Sequence, residues 1–210
     1  MKTKVIANAI FKASDNYTGV NVTTSPEKNL NLYLKNSIVS LYSAKQFNPD
    51  AEVVLILNYD LNEFEQNLFS KFGIKTIKLK EQIFKFPNNF KWGPAFFKLD
   101  ALNYLSKFYD LICVLDSDTI IVDDCSYMWK ESEESLLVYD IDYSLESPKR
   151  QLTIRVAKDY FSINKNINHW GGEIVVGTQN NIKIIINECK DIYKQLINSL
   201  DKIENGFGQE

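Results

Sequence analysis

Leu111-Ile112-Cys113-Val114-Leu115-Asp116-Ser117-Asp118-Thr119 is the stretch that decides the fold of this 210-residue chain. Five apolar residues without alternation suit a strand covered on both faces, the central position of a mostly parallel α/β sheet, and the run stops at a carboxylate. In extended chain, aspartates at i and i+2 point the same way, so Asp116 and Asp118 are placed to grip one hard cation. The carboxyl edge of such a strand is where open α/β sheets bind ligands. Asp-x-Asp alone is a weak motif, and a second one, Asp140-Ile141-Asp142, lies downstream. Context separates the first: two carboxylates hard against a buried strand are costly unless a cation or hydrogen bonds compensate.

Upstream, strand and helix alternate. Val5 to Phe11 reads as a first strand, and a helix carries Leu30, Leu34, Ile38 and Leu41 until Pro49. Val53 to Leu57 is a second strand, Leu61 to Phe72 an amphipathic helix closed by Gly73, and Ile74 to Leu79 a third strand. After an aromatic loop from Phe84 to Pro94, a helix over Ala95 to Phe108 delivers the chain to the organising strand. This alternation is the pattern of a doubly wound α/β half-domain with right-handed crossovers. Beyond Val122 the pattern loosens into a strand over Leu136 to Tyr139, a helix over Ser147 to Phe161, a short strand at Ile174 to Val176 and a long helix from Ile182 to Ile203. The expectation is a single domain over 1–210 in two halves, 1–122 and 123–210.

At 45% hydrophobic residues the chain has the means for a sizeable core. A net charge of −3 argues against a nucleic-acid binder acting through a basic face, so an anionic ligand must be met by a metal or a few placed cations. The three cysteines, Cys113, Cys125 and Cys189, make no metal-ligand pair and cannot all be bridged to one another, which points to a reducing, cytoplasmic setting. No apolar run approaches the roughly 18 residues of a membrane span. The end, Asn205 to Glu210, reads like the inside of a loop, as in a domain cut from a longer chain.

From Phe97-Lys98-Leu99-Asp100 through Leu115-Asp116-Ser117-Asp118-Thr119 to Asp124 and Trp129, the chain resembles glycosyltransferase family 8, the glycogenin-like group. The match is best over Ala95 to Trp129. The resemblance implies a GT-A-type domain, a nucleotide-sugar donor (UDP-linked) with Mn2+ or Mg2+, retention of anomeric configuration, and a glycan or other hydroxyl acceptor. By the family pattern Asp118 ligates the metal, Asp116 touches metal, ribose or both, and Ser117 lies over the nucleotide. Lys98 matches a lysine that contacts the donor. Asn8, Ala9 and Ile10 end the first strand where the family holds uracil, with backbone groups doing much of that work, and Tyr33 is a candidate to stack on the base or to lie in the core. Carboxylate oxygens suit Mn2+ or Mg2+, and a divalent metal bridging diphosphate oxygens stabilises their departure without proton transfer.

His169-Trp170-Gly171-Gly172-Glu173 departs from the family's Asn-small-Gly signature and is similar instead to a segment of other GT-A transferases that meets donor sugar and acceptor. Adjacent glycines before a strand allow close approach of a ligand to the backbone. Glu173 is therefore a candidate sugar-hydroxyl ligand or base, and Asp140 and Asp142 match an acidic residue facing the acceptor. The family's third metal ligand is a histidine near the end of the catalytic domain, and none follows His169, the one histidine here; the resemblance leaves that place to His169, a water, or a residue of a missing C-terminal segment. Two other classes compete. Apolar-strand Asp-x-Asp-x-Thr also resembles the first motif of haloacid-dehalogenase-type phosphatases, with Asp116 as nucleophile, but that motif normally opens the domain and no later acidic pair at metal-site spacing follows it here. The other is a non-catalytic domain that binds a nucleotide-sugar or glycan.

Overall fold

The computed structural model describes residues 2–12, 26–87, 90, 93–141, 144–168 and 170–198. Six strands form one sheet in the order β3-β2-β1-β4-β6-β5. They are β1 (Lys4–Ile10), β2 (Ala51–Leu57), β3 (Lys75–Lys78), β4 (Leu111–Leu115), β5 (Leu137–Asp140) and β6 (Trp170–Thr178). The helices are α1 (Pro26–Phe47), α2 (Glu63–Lys71), α3 (Phe97–Leu105), α4 (Ser126–Glu131), α5 (Pro148–Phe161) and α6 (Gln179–Ile197), with a 3-10 turn at Gly93–Phe96 leading into α3. β1 pairs in parallel with β2 and β4, and β2 with β3, whereas β6 runs antiparallel to both its neighbours. The sheet is thus mostly parallel and flanked by helices, as the sequence pattern predicts.

β4 explains the unbroken apolar run. Leu111, Cys113 and Leu115 pack into the layer under α1, α2 and α4 with Ile6, Leu41, Leu55, Phe69 and Trp129. Ile112 and Val114 face the opposite layer with Leu102, Leu105, Ile182 and Ile186 from α3 and α6. A strand with a helix layer on each side has no polar face to alternate with. Each fully buried Leu or Ile here contributes roughly 1.5–3 kcal/mol, so the strand that carries the site is also among the best anchored. Burial pushes the Cys113 thiol well up from its ordinary value and raises that of Cys125, and all three cysteines are free.

Local chemistry sets the ends of the elements. Asn62 and Glu65 close a reciprocal capping box at the start of α2. Gly73 ends that segment at φ +67°, a left-handed conformation where a side chain would also strike Lys45 Nζ. Asp110 receives the Thr3 amide and hydroxyl, both at 2.8 Å, which fastens the entry of β4 beside β1 and holds the carboxyl below its ordinary range.

β6 is longer than expected, nine residues rather than three. Its pairing with β4 is continuous from Leu111↔Thr178 to Leu115↔Ile174. Its pairing with β5 is not: Val138 sits opposite Val175 but the next residue, Tyr139, sits opposite Gly171. Gly172, Glu173 and Ile174 are therefore skipped on the β5 side, a bulge of the kind that re-aims side chains beside a site. Among the described residues no helix is long and apolar enough to cross a membrane.

Candidate active site

Beyond Leu115 the chain turns at once, with the Thr119 amide donating to the Asp116 carbonyl at 3.1 Å. This corrects the extended geometry expected for Asp116-Ser117-Asp118. β1 pairs with β4 only as far as Asn8↔Leu115, and β6 offers one further contact, the Asp116 amide donating to the Glu173 carbonyl at 2.8 Å. With no ladder left to hold it straight, the segment folds into a turn. Asp116 is half-buried at its base and Asp118 exposed near its tip, with Ser117 between them.

The sequence demanded compensation for a carboxylate at this edge, and the structure supplies it. Lys98, in the first turn of α3, donates from Nζ to Asp116 Oδ1 and to the Gly172 carbonyl. The pair is unevenly exposed, 17% for the Lys98 side chain and 42% for that of Asp116, so the carboxylate keeps an open side toward solvent. Lys98, Asp116 and the bulge of β6 are thereby held together. Glu173 lies in the same bulge, half-buried, with Oε2 shielded from solvent and lacking a hydrogen-bond partner. Its carboxylate curls over Gly171: a Cβ there would stand 1.9 Å from Glu173 Oε2 and 3.0 Å from Tyr139 Cδ1. An orphaned buried carboxylate oxygen is a costly feature to keep without a ligand to receive.

Asn8 is fully buried. Its amide nitrogen donates to the Leu115 carbonyl at 3.0 Å and to Ser40 Oγ at 3.3 Å, stitching β1 to the last residue of β4 and to α1, while Oδ1 has no partner. Ala9 is half-buried and Ile10 puts its side chain in the core, so what these two offer at the edge is backbone running past the end of β4. Tyr33 is exposed on α1 rather than in the core.

Asp140 closes β5 opposite Trp170. Asn168 donates to Asp140 Oδ2 at 3.2 Å and accepts from the Arg150 guanidinium at 2.8 Å, so Arg150 is engaged with this edge. Neither Asn168 nor the Gly172 carbonyl was legible as a site group; the paired glycines were the available signal for the second. Asp142 and His169 lie outside the described residues, and among the described residues no three His, Cys, Asp or Glu side chains are gathered to hold a metal. Asp116 and Asp118 offer oxygen ligands alone, a donor set that fits a hard divalent cation.

Sequence reasoning also passed over the role of Asp100, which is 3% exposed in α3. Its Oδ1 accepts from the amides of Ile83 at 2.7 Å and Phe84 at 3.4 Å, while Oδ2 is unpartnered. Burial raises its pKa against the lowering effect of those two bonds. It pins the segment before α3, and so braces the helix that presents Lys98.

No family model matches the chain. It is 26% identical over 129 residues to Uncharacterized protein R707 of Acanthamoeba polyphaga mimivirus, covering 58% of this chain and 45% of that protein, so it spans under half the length of that relative. Among solved structures it is similar to the galactosyltransferase LgtC in complex with donor and acceptor sugar analogs, with a TM-score of 0.59 and 14% identity over 91% of this chain and 65% of that one. It is also similar to the apo structure of the bifunctional glycosyltransferase WbbM, with a TM-score of 0.56 and 8% identity over 93% of this chain and 34% of that one. At such identities the likeness is one of fold alone: the sheet and its helices are arranged as in those two glycosyltransferases.

Proposed function

We propose that this chain is a metal-dependent glycosyltransferase of the family 8 type, moving a hexose or deoxyhexose from a UDP-sugar to a glycan or other hydroxyl acceptor with retention of configuration. The observation that carries this reading is the meeting, at the carboxyl end of β4, of the Asp116-Ser117-Asp118 turn and the Lys98 ammonium, beside the bulge of β6 in which Glu173 keeps an unpartnered carboxylate oxygen. A nucleotide-sugar presents a diphosphate and a hydroxylated ring, and these groups are the complement of both. The likeness of fold to two glycosyltransferases supports it.

In this reading Asp116 and Asp118 hold Mn2+ or Mg2+, with His169 as the candidate third ligand, and the cation when bound supplies positive charge to the departing diphosphate. Lys98 meets the donor, and Ser117 lies over the nucleotide. The base lies at the end of β1, beside Asn8 and the backbone of Ala9 and Ile10, with Tyr33 as the candidate stacking partner. Glu173 accepts a hydrogen bond from a sugar hydroxyl, and Asp140 and Asp142 face the acceptor. Residues 1–122 then serve the nucleotide and 123–210 the sugar and acceptor, in a cytoplasmic protein, as its unpaired cysteines suggest.

The test is thermal unfolding with UDP, Mn2+, or both, followed by UDP release from a panel of UDP-sugars. A ligand at a hundred times its Kd stabilises by about 2.7 kcal/mol, roughly 5–10 °C in a chain of this size. UDP with Mn2+ should raise the Tm by more than the two separate shifts together, and Asp118→Asn should remove the excess without unfolding the protein. Equal stabilisation by UDP with and without metal would refute the coupled site. Phosphate release from p-nitrophenyl phosphate through an aspartyl-phosphate at Asp116 would replace the transferase reading by a phosphatase.

A further inference from the structure

Taking the chain as such a metal-dependent transferase, we infer that Lys98 is a built-in cation of the Asp116 site: it occupies the carboxylate until nucleotide arrives, holds down the affinity for metal alone, and transfers to the diphosphate when the metal is bound. A lysine in the first turn of a helix sits at the positive end of the helix dipole, an unfavourable place for an ammonium. What holds it there is a pair of acceptors from outside the helix, Asp116 Oδ1 and the Gly172 carbonyl. The Lys98 side chain is largely shielded, so the ammonium is committed to that position rather than trailing in solvent.

Charge counting gives the consequence. Asp116 and Asp118 carry two negative charges, and Lys98 cancels one of them before any metal enters. A divalent cation then meets a site of net charge −1 whose better-buried carboxylate is already engaged. Its approach to Asp116 would set two cations side by side, which disfavours binding until one moves. A diphosphate changes the balance, because it brings fresh anionic oxygens for the metal and a new partner for Lys98. An ammonium has three N–H donors, and Asp116 Oδ1 and the Gly172 carbonyl take two, so a third remains to lead the exchange. Metal and nucleotide are therefore coupled through a side chain of the protein as well as through direct contact.

Mn2+ binding in the absence of nucleotide, read from the electron paramagnetic resonance of the free ion, tests this in the wild type, Lys98→Met and Lys98→Arg. Lys98→Met should bind Mn2+ alone about tenfold more tightly, and the factor by which UDP strengthens Mn2+ binding should shrink by about the same amount. Lys98→Arg, which keeps the charge, should stay within about threefold of wild type. Lys98→Gln serves in place of Met should the latter fail to fold by circular dichroism. A folded neutral variant with unchanged or weaker Mn2+ affinity overturns the inference, while the transferase reading survives if UDP still strengthens Mn2+ binding in the wild type. Absence of that strengthening in the wild type overturns both.

Discussion

Gly171→Ala should separate activity from stability in this protein, because the new methyl group lands on the Glu173 carboxylate, whose buried Oε2 has no hydrogen-bond partner. A Cβ built on Gly171 stands 1.9 Å from Glu173 Oε2 and 2.9 Å from its Cδ, where ordinary contact begins at about 3.4 Å. The carboxylate must retreat by roughly 1.5 Å, far outside the ~0.5 Å tolerance of a working constellation. Stability tells a different story. The displaced group is the end of a flexible side chain, moving it relieves an unpartnered buried oxygen worth about 1–3 kcal/mol, and replacing glycine by alanine in a strand removes about 0.4–1 kcal/mol of unfolded-state entropy. Against these stands a shift of a few tenths of an ångström in the Tyr139 ring, 3.0 Å from the new atom. Urea unfolding should therefore find Gly171→Ala no more than about 1 kcal/mol below wild type. Sugar transfer should fall roughly 10²-fold, as for loss of one preorganised group, with UDP affinity little changed. In a Glu173→Gln background the same alanine should cost little further activity, since it acts through that carboxylate. Full transfer by Gly171→Ala, or additive losses in the double variant, would refute the assignment of Glu173 to the sugar.

Asn8→Ala removes the amide that joins the Leu115 carbonyl and Ser40 Oγ; leaving that buried carbonyl without its side-chain donor should cost about 1–3 kcal/mol in urea unfolding, and it should weaken UDP binding because the end of β1 loses its brace. Asp100 gives a pH signature. Its pKa is raised in the folded protein by burial, so between its ordinary value and the raised one the folded state binds more protons, and its contribution to stability grows as pH falls through that window. Relative to Asp100→Asn, the wild type should gain stability on moving from neutral pH toward pH 4 in chemical denaturation, and a relative loss over that range would contradict the burial argument.

The order of elements was legible because β4 is apolar on both faces and its neighbours upstream carry the same β-branched and aliphatic signature. The last strand was legible only at Ile174 to Val176, since Trp170-Gly171-Gly172-Glu173 has no strand character of its own and is held by pairing to β4 and β5. Asp116 and Asp118 were recognisable as an edge motif, yet their turn depends on where β1 and β6 stop pairing, which no local pattern records. Lys98 was visible as a residue beside the motif, but its bond to Asp116 spans 18 positions and the one to the Gly172 carbonyl 74, both set by how α3 docks. Side chains that act through long-range geometry, Asn8 and Asp100 among them, look like ordinary polar residues until the sheet is assembled.

The three residues of β6 that β5 skips give the molecule a seam. On one side of it, Ile174 pairs with Leu115 of β4, the Glu173 carbonyl receives the Asp116 amide and the Gly172 carbonyl receives Lys98; on the other, β5, Asn168 and Arg150 form an outer edge. The Asp116 turn is bonded to Glu173, Lys98 and Asn8 rather than to β5. A change of length or sequence in β5 should therefore leave the Asp116 turn in place, which makes that outer edge the interchangeable part of the scaffold.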